Sequence, residues 1–177
     1  HRNTRRQRQM CIRDRDNFSG FILGFNSCRP KSEGTVSITS SRPGEAPSIR
    51  PNYLDHEDDR DEALAMARLI ERLMATPALT GILADEPVIP LDKMDDDAVL
   101  ADFRQRGGTV FHLCGTCRMG PDAASSVVDS RLRVHGVEGL RICDASAFPN
   151  ITSANTNAPT MMLAHRAAGM ILQDGQR

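Results

Sequence analysis

The sequence predicts a mixed α+β fold that turns α/β-like toward its C-terminal end. Three observations carry this reading. Gly34–Ser40 alternates polar and apolar residues with period two, the pattern of a half-buried strand in an antiparallel sheet. Met66, Ile70, Leu73 and Met74 recur at helical spacing within Asp61–Ala75, so one face of a helix is apolar. Leu140-Arg141-Ile142-Cys143 reads as a compact strand ending at Asp144, and Pro159 downstream suits the first residue of a closing helix.

The first 16 residues crowd Arg2, Arg5, Arg6, Arg8, Arg13 and Arg15 into a stretch with almost nothing apolar to bury. They read as a disordered or non-native start rather than as a basic arm. Phe18–Phe25 is apolar with small residues and is expected to be a buried strand. Arg42-Pro43-Gly44 and Pro47 force turns. The acidic run Asp55–Asp61 suits the positive end of the helix over Asp61–Ala75, with Arg68, Glu71 and Arg72 on its solvated side. Pro77, Gly81, Pro87 and Pro90 make 76–95 a loop. A short helix near Asp95–Arg106 stops at Gly107-Gly108. Short strands follow at Thr109–Phe111, Val127–Asp129 and Leu132–Val134, with a turn at Gly136–Gly139. The last helix is expected to bury Met161, Ala164, Ala168 and Ile171, its small residues allowing close packing on a sheet.

Composition excludes several classes. The 177 residues are 40% apolar and 25% charged, as in ordinary globular domains, with net charge −1. No field of one sign recruits nucleic acid or acidic lipid. Aromatics are 4% without tryptophan, which disfavours a base-stacking platform. No apolar run reaches the roughly 20 residues of a membrane span, and none reads as a signal peptide. Five cysteines at irregular spacing are not a disulfide framework, so a reducing, cytoplasmic setting is expected.

Chemistry concentrates in two words. The first is Phe111-His112-Leu113-Cys114-Gly115-Thr116-Cys117-Arg118-Met119-Gly120, the second Asp144-Ala145-Ser146 through Asn155-Thr156-Asn157-Ala158-Pro159. Imidazole titrates near neutrality and is a natural base for an alcohol proton. A lone histidine is nevertheless more often structural. Cys114 and Cys117 form a C-x-x-C, which read by itself is a redox pair or, with His112, part of a zinc site. No helix follows it as a thioredoxin motif requires, and only Cys143, His135 or distant residues remain to complete a closed zinc site, so two small packing residues are the simpler reading. His56 and His165 read as solvated, His135 as part of a surface turn, and Arg118 as a surface ion-pair partner.

Taken together, His112-x-x-Gly115-Thr116-Cys117-x-Met119-Gly120, Val127-Val128-Asp129, Val134-His135-Gly136-Val137, Gly139–Ile142, Asp144-Ala145-Ser146 and Asn155–Thr160 closely resemble the C-terminal part of the glucose–methanol–choline (GMC) oxidoreductases, the choline dehydrogenase-like members above all. Arg29–Ser32 through Pro51–Leu54 resembles that family's substrate-domain sheet. The resemblance implies three units: the non-native 1–16, a partial substrate-binding domain with an antiparallel sheet at 17–108, and at 109–177 the C-terminal strand and helix of a Rossmann-like FAD-binding domain. It implies an FAD-dependent oxidoreductase acting on the CH–OH group of an alcohol, with oxygen or a quinone reoxidising the flavin. By position, His112 and Asn155 match the family's active-site pair. Asp144 and Ala145 match its FAD ribityl–pyrophosphate contact, and Asn155, Thr156, Asn157 and Pro159 match the segment along the flavin ring. No metal is implied. Position 114 is usually small and apolar in the family, which agrees with a packing role for Cys114.

The physical reading runs parallel. His112 takes the hydroxyl proton, Asn155 orients the substrate oxygen, and the helix N-terminus stabilises negative charge on the reduced flavin. The two side chains are therefore expected to converge on one oxygen. The sequence contains no G-x-G-x-x-G, so the resemblance implies a C-terminal piece that is expected to bind FAD weakly or not at all by itself. Two other functions remain open at this point: a small metal-binding module built on His112, Cys114 and Cys117, and a non-catalytic interaction domain.

Overall fold

The computed structural model describes residues 20–176, and the expected non-native start at 1–16 lies outside them. The chain runs β1 (Thr35–Ser37), β2 (Ser48–Arg50), α1 (Glu57–Met74), a single turn α2 (Pro77–Thr80), α3 (Asp96–Arg106) and α4 (Asn157–Asp174). Short 3₁₀ turns lie at Leu91–Lys93 and Ala145–Ala147. A small antiparallel sheet with helices makes this a partial α+β domain.

The alternating segment does form a strand, pairing Thr35 with Arg50, Val36 with Ile49 and Ser37 with Ser48. It is not half-buried, because Val36, Ile38 and Ile49 are exposed. A two-stranded ribbon has neither further strands nor a helix to cover its apolar side chains. The strand expected at Phe18–Phe25 is absent over its described part, where Phe21, Ile22 and Leu23 are exposed. An apolar run becomes a strand only where another edge accepts its backbone hydrogen bonds. Phe25 alone turns inward and meets the Phe103 ring, centroids 5.5 Å apart.

Helix α1 begins four residues before the expected start. The His56 side chain accepts the Asp58 N–H at 3.2 Å, and Glu57, Asp58 and Asp59 occupy the positive first turn. Its buried side is Asp59, Ala63 and Ala67, while Leu73 is exposed. Arg68 is not solvated as expected. Its guanidinium donates to the Leu91 and Met94 carbonyls at 3.1 and 3.0 Å and to Asp96 at 2.7 Å, tying α1 to the start of α3. Asp59 is buried and accepts the N–H groups of Lys31 and Ser32 at 2.8 and 2.7 Å. Burial pushes its carboxyl up, but these bonds outweigh that and hold it below the ordinary aspartate value. Its stabilising contribution is therefore present above the ordinary aspartate range and is lost as pH falls through the lowered value. Helix α3 starts and stops as expected: Asp95 accepts the Ala98 N–H at 2.8 Å, and Gly107 closes the end.

The expected strands of the C-terminal part reduce to single bridges, Met119 with Val128, Val128 with Val134 and Arg133 with Arg141. They surround a core of Val128, Leu132, Ala147 and Ala167, against which Met119, Ile142 and Leu163 pack. Helix α4 starts two residues before Pro159. That proline is its third residue, where no intrahelical bond is lost for want of an N–H. The helix buries Ala167, with Leu163 and Met170 half-buried, and not the expected stripe. Met161, Ala164, Ala168 and Ile171 are exposed. Arg131, at 2.7 Å, and Arg141 both reach Asp174 and hold the far end of α4. No helix of the described residues is long and apolar enough to cross a membrane.

Leu132 is 1% exposed and has φ of +65°. Its side chain fills the centre of this core from a left-handed backbone, so Leu132→Ala leaves a void. The expected loss is about 2–5 kcal/mol of unfolding free energy, measured by urea denaturation.

Candidate active site

Thr109–Phe111 is not a strand. Phe111 has φ of +59° and is 85% exposed, and its N–H bonds the Thr109 hydroxyl at 3.1 Å. A bulky aromatic in the left-handed region is strained, and such strain persists only where the surroundings impose it. The bend sends the Phe111 ring outward and the next side chain, half-buried His112, inward.

After His112 the chain is bonded onto the second motif. The Cys117 N–H reaches the Ser146 carbonyl and the Met119 N–H the Ala147 carbonyl, both at 2.9 Å. Gly115 makes the turn with φ of +86°, a conformation that suits glycine. Gly120 allows a close approach, since a Cβ there would sit 2.7 Å from the Ser126 Cβ. Asp144 is not at the end of a strand as expected. Its Oδ1 accepts the Ser146 N–H at 2.7 Å and caps the Ala145–Ala147 turn. The chain then passes buried Phe148 and reaches Asn155 at the threshold of α4.

There the two motifs meet. The Nδ2 atom of Asn155 lies 3.2 Å from Nε2 of His112, across 43 positions of sequence. The Oγ1 atom of Thr156 lies 3.0 Å from the other ring nitrogen, Nδ1. Asn155 is exposed and its Oδ1 accepts the Asn157 N–H at 3.0 Å, whereas Thr156 is 8% exposed. The structure thus brings His112 and Asn155 together, and it adds Thr156, whose contact with the imidazole was not foreseen. A buried threonine at the helix threshold was the available signal.

The start of α4 is open. Thr156 gives the helix no side-chain cap, the first turn carries no acidic residue, and Ala158 N–H has no partner among the described residues. An uncompensated positive helix end with a free amide fits an anionic group. Asp144 has a second carboxylate oxygen with no partner among the described residues, which fits a hydroxyl donor. A cavity of about 310 Å³ opens beside His112, between the ribbon and α1, with Phe25, Val36, Tyr53, Met66 and Val110 in its wall. Glu33 and Arg118 also line it and neutralise each other at 2.7 Å.

The other candidates separate from this centre. His135 lies in the expected turn but is half-buried, with Nε2 3.2 Å from the Ser126 hydroxyl and 3.3 Å from the Gly120 carbonyl. Cys28, Cys114, Cys117 and Cys143 are free thiols. Burial pushes Cys114 up despite nearby Arg118, and burial and then Asp144 push Cys143 up, which disfavours the reactive thiolate. Among the described residues no three His, Cys, Asp or Glu side chains gather as metal ligands.

Comparisons with known proteins agree with this geometry. Residues 30–164 match the family described as GMC oxidoreductase. The chain is 38% identical over 154 residues to an alcohol dehydrogenase [acceptor] of Pseudomonas putida, covering 87% of this chain and 28% of that one. It is 42% identical over 152 residues to an oxygen-dependent choline dehydrogenase of Proteus mirabilis, covering 86% and 27%. It therefore spans little more than a quarter of the length of these relatives. Among solved structures, the formate oxidase of Aspergillus oryzae superposes with a TM-score of 0.76 at 27% identity, covering 83% of this chain and 26% of that one. A fungal aryl-alcohol oxidase superposes at 0.70 and 27%, covering 85% and 25%. An FAD-dependent oxidoreductase of Chaetomium thermophilum superposes at 0.75 and 27%, covering 84% and 26%. The relatives are enzymes, the matched span includes every residue of the His112–Asn155–Thr156 cluster, and the chain belongs to the GMC oxidoreductase family.

Proposed function

We propose that this chain supplies the proton-handling half of an FAD-dependent alcohol oxidoreductase, choline dehydrogenase-like in its relatives. The observation that carries the reading is the approach of His112 and Asn155 to 3.2 Å. Bound FAD would supply the hydride acceptor for the alcohol carbon. His112 takes the hydroxyl proton at Nε2. Asn155 donates from Nδ2 to the same oxygen as negative charge grows on it. The two atoms are the right kind of pair for this task, one acceptor and one donor 3.2 Å apart.

The remaining groups fall into place around that pair. The free amide and positive end of α4 would favour negative charge on a bound flavin. Asn157 and Pro159 shape that helix end, and Asp144 with Ala145 would hold the ribityl side. The apolar cavity beside His112 houses the carbon skeleton of the substrate. Two of the alternatives raised by the sequence find less support. A metal module lacks its cluster of ligands among the described residues. A non-catalytic interaction domain gives no role to a carboxamide and an imidazole brought together beside a helix start that carries no acidic residue.

The test is anaerobic mixing of the flavin-loaded enzyme carrying this segment with a primary alcohol. Bleaching of the flavin absorbance at a rate that slows when the carbinol hydrogens are deuterium is the expected result. A flavin that stays oxidised with every alcohol class tried, cationic and neutral alike, would sink the reading.

A further inference from the structure

The hydrogen bonds around His112 determine where its proton sits. Asn155 can be oriented in only one way: its Oδ1 accepts the Asn157 N–H at 3.0 Å, and turning the amide over would set two donors against each other there. Its Nδ2 therefore faces His112, at 3.2 Å from Nε2. An amide nitrogen only donates, so Nε2 must be the bare nitrogen of a neutral imidazole. The proton is then on Nδ1, which points at the Thr156 Oγ1 at 3.0 Å. Thr156 accepts it from an 8% exposed position, and the next turn of α4 holds the same residue through the Thr160 hydroxyl, which donates to the Thr156 carbonyl at 2.7 Å.

From this we infer that Thr156 is a positioning residue: by accepting the Nδ1 proton it works with Asn155 to hold His112 in the Nδ1–H tautomer, which leaves Nε2 unprotonated. The inference rests on the proposed role of His112 as the base. It assigns Thr156 a task on the imidazole, where position alone assigned it to the flavin ring. Helix α4 thereby orients the base from one side and the carboxamide from the other, since Asn155, Thr156 and Asn157 are consecutive. A valine keeps the shape of threonine and loses the acceptor. A serine keeps the acceptor and loses only a methyl group.

The experiment combines a spectrum with kinetics. In the chain labelled with ¹⁵N-histidine, the His112 ring is assigned by its loss in His112→Ala, and two-bond proton–nitrogen correlations report which nitrogen is protonated. The expected pattern is protonated Nδ1 in the unaltered protein, a mixture or a switch to Nε2 in Thr156→Val, and return of the original pattern in Thr156→Ser. In the flavin-loaded enzyme, Thr156→Val is expected to lower kcat about 10–100-fold, part of what a positioned base supplies, with KM within about twofold. Thr156→Ser is expected to recover most of that loss. Protonated Nε2 in the unaltered protein overturns the inference, and so does an unchanged tautomer in Thr156→Val. Full activity in His112→Ala would remove the base reading while leaving the tautomer result intact, so the two failures are distinct.

Discussion

Replacing His112 with alanine lowers kcat for alcohol oxidation by about 10²–10⁴-fold, the usual contribution of a positioned general base. Flavin content is expected to stay the same. The imidazole spends its two nitrogens on Asn155 and Thr156, and its removal leaves the Cys117–Ser146 and Met119–Ala147 backbone bonds in place. The loss therefore belongs to the chemical step and not to folding. Steady-state kinetics with flavin quantified per chain checks it. An unchanged kcat would mean that the proton leaves by another route.

Removing the carboxamide is the second large effect. Asn155→Ala deletes a donor aimed at the oxygen where charge develops, and kcat falls by about 10²–10³-fold. Asn155→Asp is expected to be worse than alanine. It sets a carboxylate beside an oxygen that is becoming negative, and it loses the donor that faces Nε2 of His112. The rank order wild type, alanine, aspartate is the measurement. An aspartate variant faster than the alanine variant would reverse the assigned direction of the hydrogen bond.

The site was more legible than the fold that carries it. His112 and Asn155 stand in short words that resemble the GMC oxidoreductases, and their expected approach is observed, whereas residue type alone favoured a structural histidine. Their approach, by contrast, needed the backbone bonds from Cys117 and Met119 to the Ala145–Ala147 turn, and no periodicity announces those. Phe111 shows why. A bulky residue with φ of +59° is the last choice of any propensity rule, yet that bend is what aims His112.

Local signals worked where the cause was local. Asp95 and Gly107 bound α3 by their own chemistry, and Arg42-Pro43-Gly44 made its turn. They failed where the cause was a neighbour. Phe21, Ile22 and Leu23 have apolar side chains but no adjacent edge, so no strand formed. Helix α4 carries apolar residues on several sides, including Met161, Leu163, Met170 and Leu172. Which side is buried depends on where the Val128–Leu132 core lies, and that is not written in the helix itself. The half-burial of His135 in its turn was missed for the same reason: the Ser126 and Gly120 groups that meet it come from an earlier loop.

The central claim is that His112 and Asn155 act on one oxygen. A double-mutant cycle on kcat tests it most directly, with His112→Ala, Asn155→Ala and the pair together in the flavin-loaded enzyme. Groups that work as a unit give a double variant about as slow as the slower single one. Losses that multiply, so that the free-energy costs of the two single variants simply add, would show that the two side chains serve separate steps.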